Sequence, residues 1–328
     1  MRTISRFSAL AVAMSVSVGM FGQDFSFRRL DMPSASAIVS EVTRNSVELE
    51  VGNKAAVPIL KQVYKTVDFP QALNTEVRGV NDLGESVGIY DDASGERHGF
   101  LRRGSGKLVT IDVPQAISSR TNSINNREEI AGAYTDGSNV THAFVLRKGQ
   151  FMTLDFPNAQ YTTGSGINDL GDVVGRVIDS SGVQHGYVWH AGKFQQLDYP
   201  DSIFTYAISI ADTGDITGDR EDLAGNVTCF VLHDHNYIPV AYPGATLTGN
   251  CSINAIGEIT GQFQDSQANI HSFLLLKGQF YNIDLANVAE TDVSGISERG
   301  QLYGIYFDSE GSEHGYIAIA EETNTIQH

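Results

Sequence analysis

The sequence predicts an all-β fold, a β-propeller of four-stranded antiparallel blades. Three observations predict it. A unit of about 43 residues recurs through six full copies, and a fixed period of that size marks a repeat architecture. Each copy carries four short strand signals separated by turn signals. The chain also opens on a lone fourth-strand motif and lacks that strand in its last copy, as expected for a ring closed by its own ends.

The copy from Thr162 to Pro200 justifies the strands in order. Gly166-Ile167-Asn168 ends the first, and Asn168-Asp169-Leu170-Gly171 turns, with Asn supporting the bend and Gly taking positive φ. Val173, Gly175 and Val177 alternate along the second strand. Asp179-Ser180-Ser181-Gly182 turns again, His185-Gly186-Tyr187-Val188-Trp189 is the third strand, and Ala191-Gly192 leads into Phe194 to Tyr199, the fourth. Pro200 ends it because Pro cannot donate to a ladder.

The register is tight. The anchor position holds Asn81, Asn125, Asn168, Ala211, Asn254 and Ser297, and seven residues on stands Gly88, Gly132, Gly175, Gly218, Gly261 or Gly304. Next come Asp92, Asp136, Asp179, Asp222, Asp265 and Asp308, then His98, His142, His185, His271 and His314, with Thr228 in the fourth copy. An aromatic follows two residues later: Phe100, Phe144, Tyr187, Phe230, Phe273 or Tyr316. These aromatics read as core. A residue that recurs once per unit reads as scaffold, so the histidines and aspartates are assigned structural roles.

The fourth strand carries its own motif, clearest at Val67-Asp68-Phe69-Pro70, Ile111-Asp112-Val113-Pro114, Leu154-Asp155-Phe156-Pro157 and Leu197-Asp198-Tyr199-Pro200. Phe27 to Pro33 matches it in frame. The expected fold is therefore seven blades, closed by Phe27–Pro33, with residues 34–70 a worn first blade and 71–320 six clear repeats. The alternative is six blades closed by Gln62 to Phe69. A single propeller domain then spans 23–320, with a tail at 321–328.

Residues 1–22 read as a secretory signal: Arg2 and Arg6 supply the positive region and Leu10 to Met20 the short apolar stretch. The expected location is extracellular, periplasmic or at the cell surface. No later segment is apolar enough for a membrane span, so no membrane insertion is expected of the mature form; a monomer is expected. The net charge of −17 repels phosphate backbones and argues against nucleic acid as a partner.

His98-Gly99-Phe100, His142-Ala143-Phe144 and His185-Gly186-Tyr187, with the surrounding Ile-Asn-x-x-Gly-x-Ile-x-Gly-x-Tyr pattern, resemble the bacterial extracellular HAF-repeat family over roughly residues 70–320. That resemblance implies a secreted or surface bacterial protein and no particular reaction. The fourth copy departs from it, with Ala211, Thr228 and Ala241.

Candidate chemistry is sparse. The sequence has no G-x-S-x-G, no H-E-x-x-H and no phosphate loop. No catalytic residue, metal or cofactor is assigned. His233-Asp234-His235 is not repeated and offers two metal donors without an evident third. The Asp-x-x-Gly turns hold too few carboxylates for calcium and read as aspartates capping their own turns. Cys229 and Cys251, in adjacent repeats, are a candidate disulfide in an oxidising compartment. The segments after each Pro vary most, and their unrepeated Arg120, Tyr161, Phe204 and Tyr206 are the candidate binding residues. The expected function is non-catalytic recognition of a carbohydrate or an extracellular or envelope protein. The rival is a glycan hydrolase or lyase with its site at the channel mouth, where converging carboxylates would mark it.

Overall fold

A computed structural model describes residues 62–283, 285 and 287–320. The signal segment, the Phe27–Pro33 motif, the 34–61 part of the proposed worn blade and the 321–328 tail lie outside them. The described residues are all-β, with no helix among them, and form a propeller-like arrangement of four-stranded blades.

The described residues begin with β1 (Gln62–Val67). Unit 1 is β2 (Asn74–Val80), β3 (Ser86–Asp91), β4 (Arg97–Arg102) and β5 (Leu108–Ile111). Unit 2 is β6 (Ser118–Ile124), β7 (Ile130–Thr135), β8 (Thr141–Arg147) and β9 (Gln150–Leu154). Unit 3 is β10 (Tyr161–Ile167), β11 (Val173–Ile178), β12 (Gln184–His190) and β13 (Lys193–Leu197). Unit 4 is β14 (Ser202–Ile210), β15 (Ile216–Asp222), β16 (Val227–His233) and β17 (Asn236–Val240). Unit 5 is β18 (Leu247–Ile253), β19 (Ile259–Gln264), β20 (Ile270–Leu276) and β21 (Gln279–Ile283); unit 6 is β22 (Glu290–Ile296), β23 (Leu302–Phe307) and β24 (Glu313–Ala320).

Strand pairing corrects the expected closure. The free edge of β24 is taken by β1, in register from Gln62 opposite Ala320 to Val67 opposite Gly315. Asp68 then bonds His314 and Thr66 bonds the Tyr306 hydroxyl, so the motif at residues 67–70 completes unit 6. That edge cannot also receive Phe27–Pro33. The described sheets do not form the seven separate blades expected. Four stand apart as four-stranded blades, and an eight-stranded sheet joins units 2 and 3 through one parallel bridge, Tyr161 opposite Thr141. The sequence could not separate the two closures because both motifs are in frame.

Apolar packing runs between units. Each adjacent pair shares a buried cluster, and the pair formed by units 6 and 1 packs Val67 and Tyr303 against Val77, Val80, Tyr90 and Phe100. The six third-strand aromatics are fully buried. The unvarying glycine follows from this packing. A Cβ at Gly88 would overlap the Glu76 carbonyl oxygen and lie 2.8 Å from the Phe100 ring. The first strand bulges beside it, between Val77 and Gly79.

Candidate ligand site at the ends of the channel

The repeated polar residues are spent on the scaffold. Asp92 Oδ1 accepts the Ser94 and Glu96 N–H groups of its own turn, while Oδ2 faces His98 Nε2 at 3.5 Å. His98 Nδ1 meets Asp112 at 2.8 Å. The same Asp–His–Asp bridge recurs at Asp136–His142–Asp155 and Asp179–His185–Asp198, and β1 supplies its third member at Asp308–His314–Asp68. In unit 5, His271 faces Asp265; in unit 4, Asp222 caps its turn by accepting the Ala224 and Asn226 N–H groups, beside Thr228 in place of His. Burial alone lowers the His98 and His314 pKa values, but the flanking carboxylates overcome it and leave both raised. His185 is raised chiefly by its bond to Asp198. Asp92, Glu96 and His98 offer ligand atoms within 4.8 Å of one another, yet the Asp92 and His98 atoms are already engaged as described.

His233 is likewise engaged, with Asp215 at 2.6 Å, while Asp234 and His235 form the turn at positive φ. This pair belongs to a second repeated position: Arg103–Glu85 and Arg147–Glu129 in units 1 and 2, His190–Asp172 and His233–Asp215 in units 3 and 4. A long base faces a long acid, and a short base a short acid.

All first strands run the same way along the axis, so the channel has two different mouths. One is built by the anchor turns. Asn81 Oδ1 accepts the Leu83 and Glu85 N–H groups, and Asn81 Nδ2 donates to the Asn125 carbonyl of the next unit. Asn125, Asn168 and Asn254 repeat this link onto Asn168, Ala211 and Ser297. Ala211 and Ser297 have no amide to donate. These two joints are held otherwise: units 4 and 5 by the Cys229–Cys251 disulfide (Cα separation 6.1 Å), units 6 and 1 by the packing of β1. The buried Asp219 beside the disulfide accepts the Asn250 N–H, and burial pushes its pKa up to about 7.

The residue after each anchor adds a second ring. Asp82, Asn126 and Asp169 donate their backbone N–H groups to the side chains of Asn126, Asp169 and Asp212 respectively. Ala255 breaks the series. Glu298, one methylene longer than Asp, accepts from both Asp212 N and Ala255 N, at 3.2 and 2.6 Å. Asp82, Asn126, Asp169, Asp212 and Glu298, with Ile124, Ile167 and Ile296, line the pocket at this mouth. Burial, reinforced by the Asp212 and Asp82 charges against those two N–H donors, pushes Glu298 up to about 7.

The other mouth lies at the starts of the first strands and gathers unrepeated residues. Arg120 is on β6, Tyr161 on β10, and Phe204 and Tyr206 on β14, all half-buried and within strands rather than linking loops. Arg176 of β11 joins them. Its guanidinium lies 5.1 Å from the Tyr161 ring centre and 5.2 Å from that of Tyr206, and it donates to the Tyr161 hydroxyl at 3.0 Å. The Tyr206 hydroxyl bonds Ser165. Burial raises the Tyr161 pKa, but Arg176 and Arg120 outweigh it and leave the phenol lowered. Phe204 shares the strand face of Tyr206 without joining this bonded cluster. Arg176 was not singled out from sequence because its position, where other units hold Ile89, Ala133, Asp219, Gln262 and Ile305, shows no pattern.

No protein-family model matches the sequence, and no curated protein matches it. Solved structures resemble the fold. TolB from Acinetobacter baumannii aligns with a TM-score of 0.54 at 10% identity, over 73% of this chain and 65% of that one. A mutant Aleuria aurantia lectin in complex with alpha-methyl-L-fucoside aligns at 0.50 and 11%, over 79% and 95%. The same lectin with Fucalpha1-6GlcNAc gives the same values. At these identities the likeness establishes the fold alone.

Proposed function

We propose that this is a secreted, non-catalytic carbohydrate-recognition propeller of the HAF-repeat type, its six units being the blades of one ring sealed by β1. The observation that carries the reading is the mouth formed by Arg120, Tyr161, Arg176 and Tyr206. Aromatic faces for sugar C–H groups and hydroxyl and guanidinium donors for sugar oxygens stand together on a rigid frame. The fold's likeness to a lectin crystallised with a fucoside is consistent with it. Export is supported by the Arg2 to Met20 segment and by the disulfide.

A second reading, a glycan hydrolase or lyase, draws on Glu298, whose pKa near neutrality suits a general acid. It is the weaker reading because Glu298, Asp169 and Asp212 occupy one repeat position and serve neighbouring backbone amides. A glycan array followed by product analysis separates the two. Binding without cleavage, lost in Tyr206→Ala, is expected. Turnover of a bound glycan that disappears in Glu298→Gln would replace recognition with catalysis.

A further inference from the structure

Arg120 and Arg176 share one feature with Arg102 and Arg220 of this chain, and of the four only Arg120 and Arg176 meet at the mouth around Tyr161. The chain's 39 acidic residues outnumber its 22 basic ones, yet among the described residues none of these four arginines has an ion pair. Other arginines of the protein do: Arg78 with Glu76, Arg97 with Asp91, Arg103 with Glu85 and Glu128. Arg176 is half-buried between two tyrosine rings. Its terminal nitrogens reach the Tyr161 hydroxyl and, at 3.4 Å, Gln184, while its Nε is buried with no acceptor. A guanidinium has five N–H donors, and here most of them lack a strong acceptor. Leaving a charged donor unmet in a partly desolvated place is costly, and a carboxylate is the acceptor whose fork matches it.

We propose that this mouth binds an acidic sugar, its carboxylate held by Arg176 and Arg120 and its ring laid against Tyr161 and Tyr206. The inference rests on the carbohydrate reading above and narrows it to a saccharide bearing an isolated carboxylate, such as a uronic acid residue. A polyanion is the wrong ligand. The chain's overall negative charge repels a string of carboxylates, while one carboxylate meets only the local pair of arginines. The tyrosines already holding Arg176 fix its orientation, so little side-chain freedom is lost on binding.

The test is calorimetric titration of the folded protein with galacturonate and glucuronate methyl glycosides, with their methyl esters, and with neutral alpha-methyl-L-fucoside. The free acid of at least one uronide should bind about tenfold or more tighter than its ester, the share of affinity expected from one charge-assisted pair. Arg176→Gln should abolish that difference. Because Arg176 is packed between rings, Arg120→Gln is the second variant; it should reduce the preference with unchanged melting. Equal binding of acid and ester would overturn the carboxylate assignment while leaving carbohydrate recognition standing. Preference unmoved by both substitutions would overturn the site. Failure of every uronide, ester and fucoside, followed by an empty glycan array, would remove the carbohydrate reading itself.

Discussion

The two mouths of the channel are made from the same six strands, yet they differ in kind. At the anchor mouth most side chains donate to or accept from the backbone of another unit, and the residue types largely repeat. At the opposite mouth the contacts run side chain to side chain, and no two units contribute the same set. The contrast separates jobs. A position that bonds backbone is fixed by the fold's period. A position that bonds another variable side chain is free to be chosen for a ligand.

The sharpest way to break that division is to strike the frame and measure both stability and binding. Gly88→Ala forces the Glu76 carbonyl and the Phe100 ring apart. It should cost about 3 kcal/mol or more in urea unfolding. Glu298→Ala should come next, at about 2 kcal/mol, because the Asp212 and Ala255 N–H groups lose their acceptor. Binding at the far mouth should survive it. If binding vanished while melting held, the anchor mouth would be the site and the comparison would invert.

A pH series sharpens the frame's side. His98, His185 and His314 have raised folded pKa values, so their stabilisation is complete below about pH 6.5, the unfolded value, and is lost as pH rises through the folded values. Glu298 acts in the same direction between its unfolded value and about 7. The turn aspartates act oppositely: Asp92 and Asp265 are held down to about 2, and their contribution is lost as pH falls below the ordinary carboxylate range. Stability should therefore be greatest at about pH 4 to 5, above the range where the turn aspartates protonate and below that where Glu298 ionises, and should fall further as the histidines lose their protons. His185→Ala should cost about 1 kcal/mol at pH 5, its ion pair being partly screened by solvent, and less at pH 8. A flat difference between the two pH values would mean that His185 is held by packing alone. The smallest stability effect belongs to the other mouth. Tyr206→Phe removes one hydroxyl from Ser165 and should cost under about 1 kcal/mol. It should still weaken ligand binding measurably, and unchanged binding would move the ligand away from this wall.

The sequence made the frame legible wherever function demanded repetition: the glycines beside the bulge, the buried aromatics and the histidines each declare themselves six or five times. It placed Arg120, Tyr161 and Tyr206 as exceptions and paired the cysteines by position. It could not show that Arg176 reaches between two tyrosines, since that meeting depends on how unit 3 faces unit 4. The Glu298 bridge was hidden for a related reason. Only the ring brings residue 298 beside residues 212 and 255. The closure misled because Leu30-Asp31-Met32-Pro33 and Val67-Asp68-Phe69-Pro70 spell one motif, and strand pairing chose the second. A smaller regularity shows only in the structure: Thr75, Ser119, Thr162, Thr205, Thr248 and Thr291 each accept the N–H of the residue six positions earlier.

The β1–β24 seam has a kinetic meaning. Thr66 and Tyr306 touch across 240 residues, so β1, the earliest of the described strands to be synthesised, is among the last to find its partner. Until then β24 and β1 each present a bare row of amides to any neighbouring chain. The seam is therefore the step at which synthesis can outrun assembly, and chains crowded together before the ring seals will cross-pair there first.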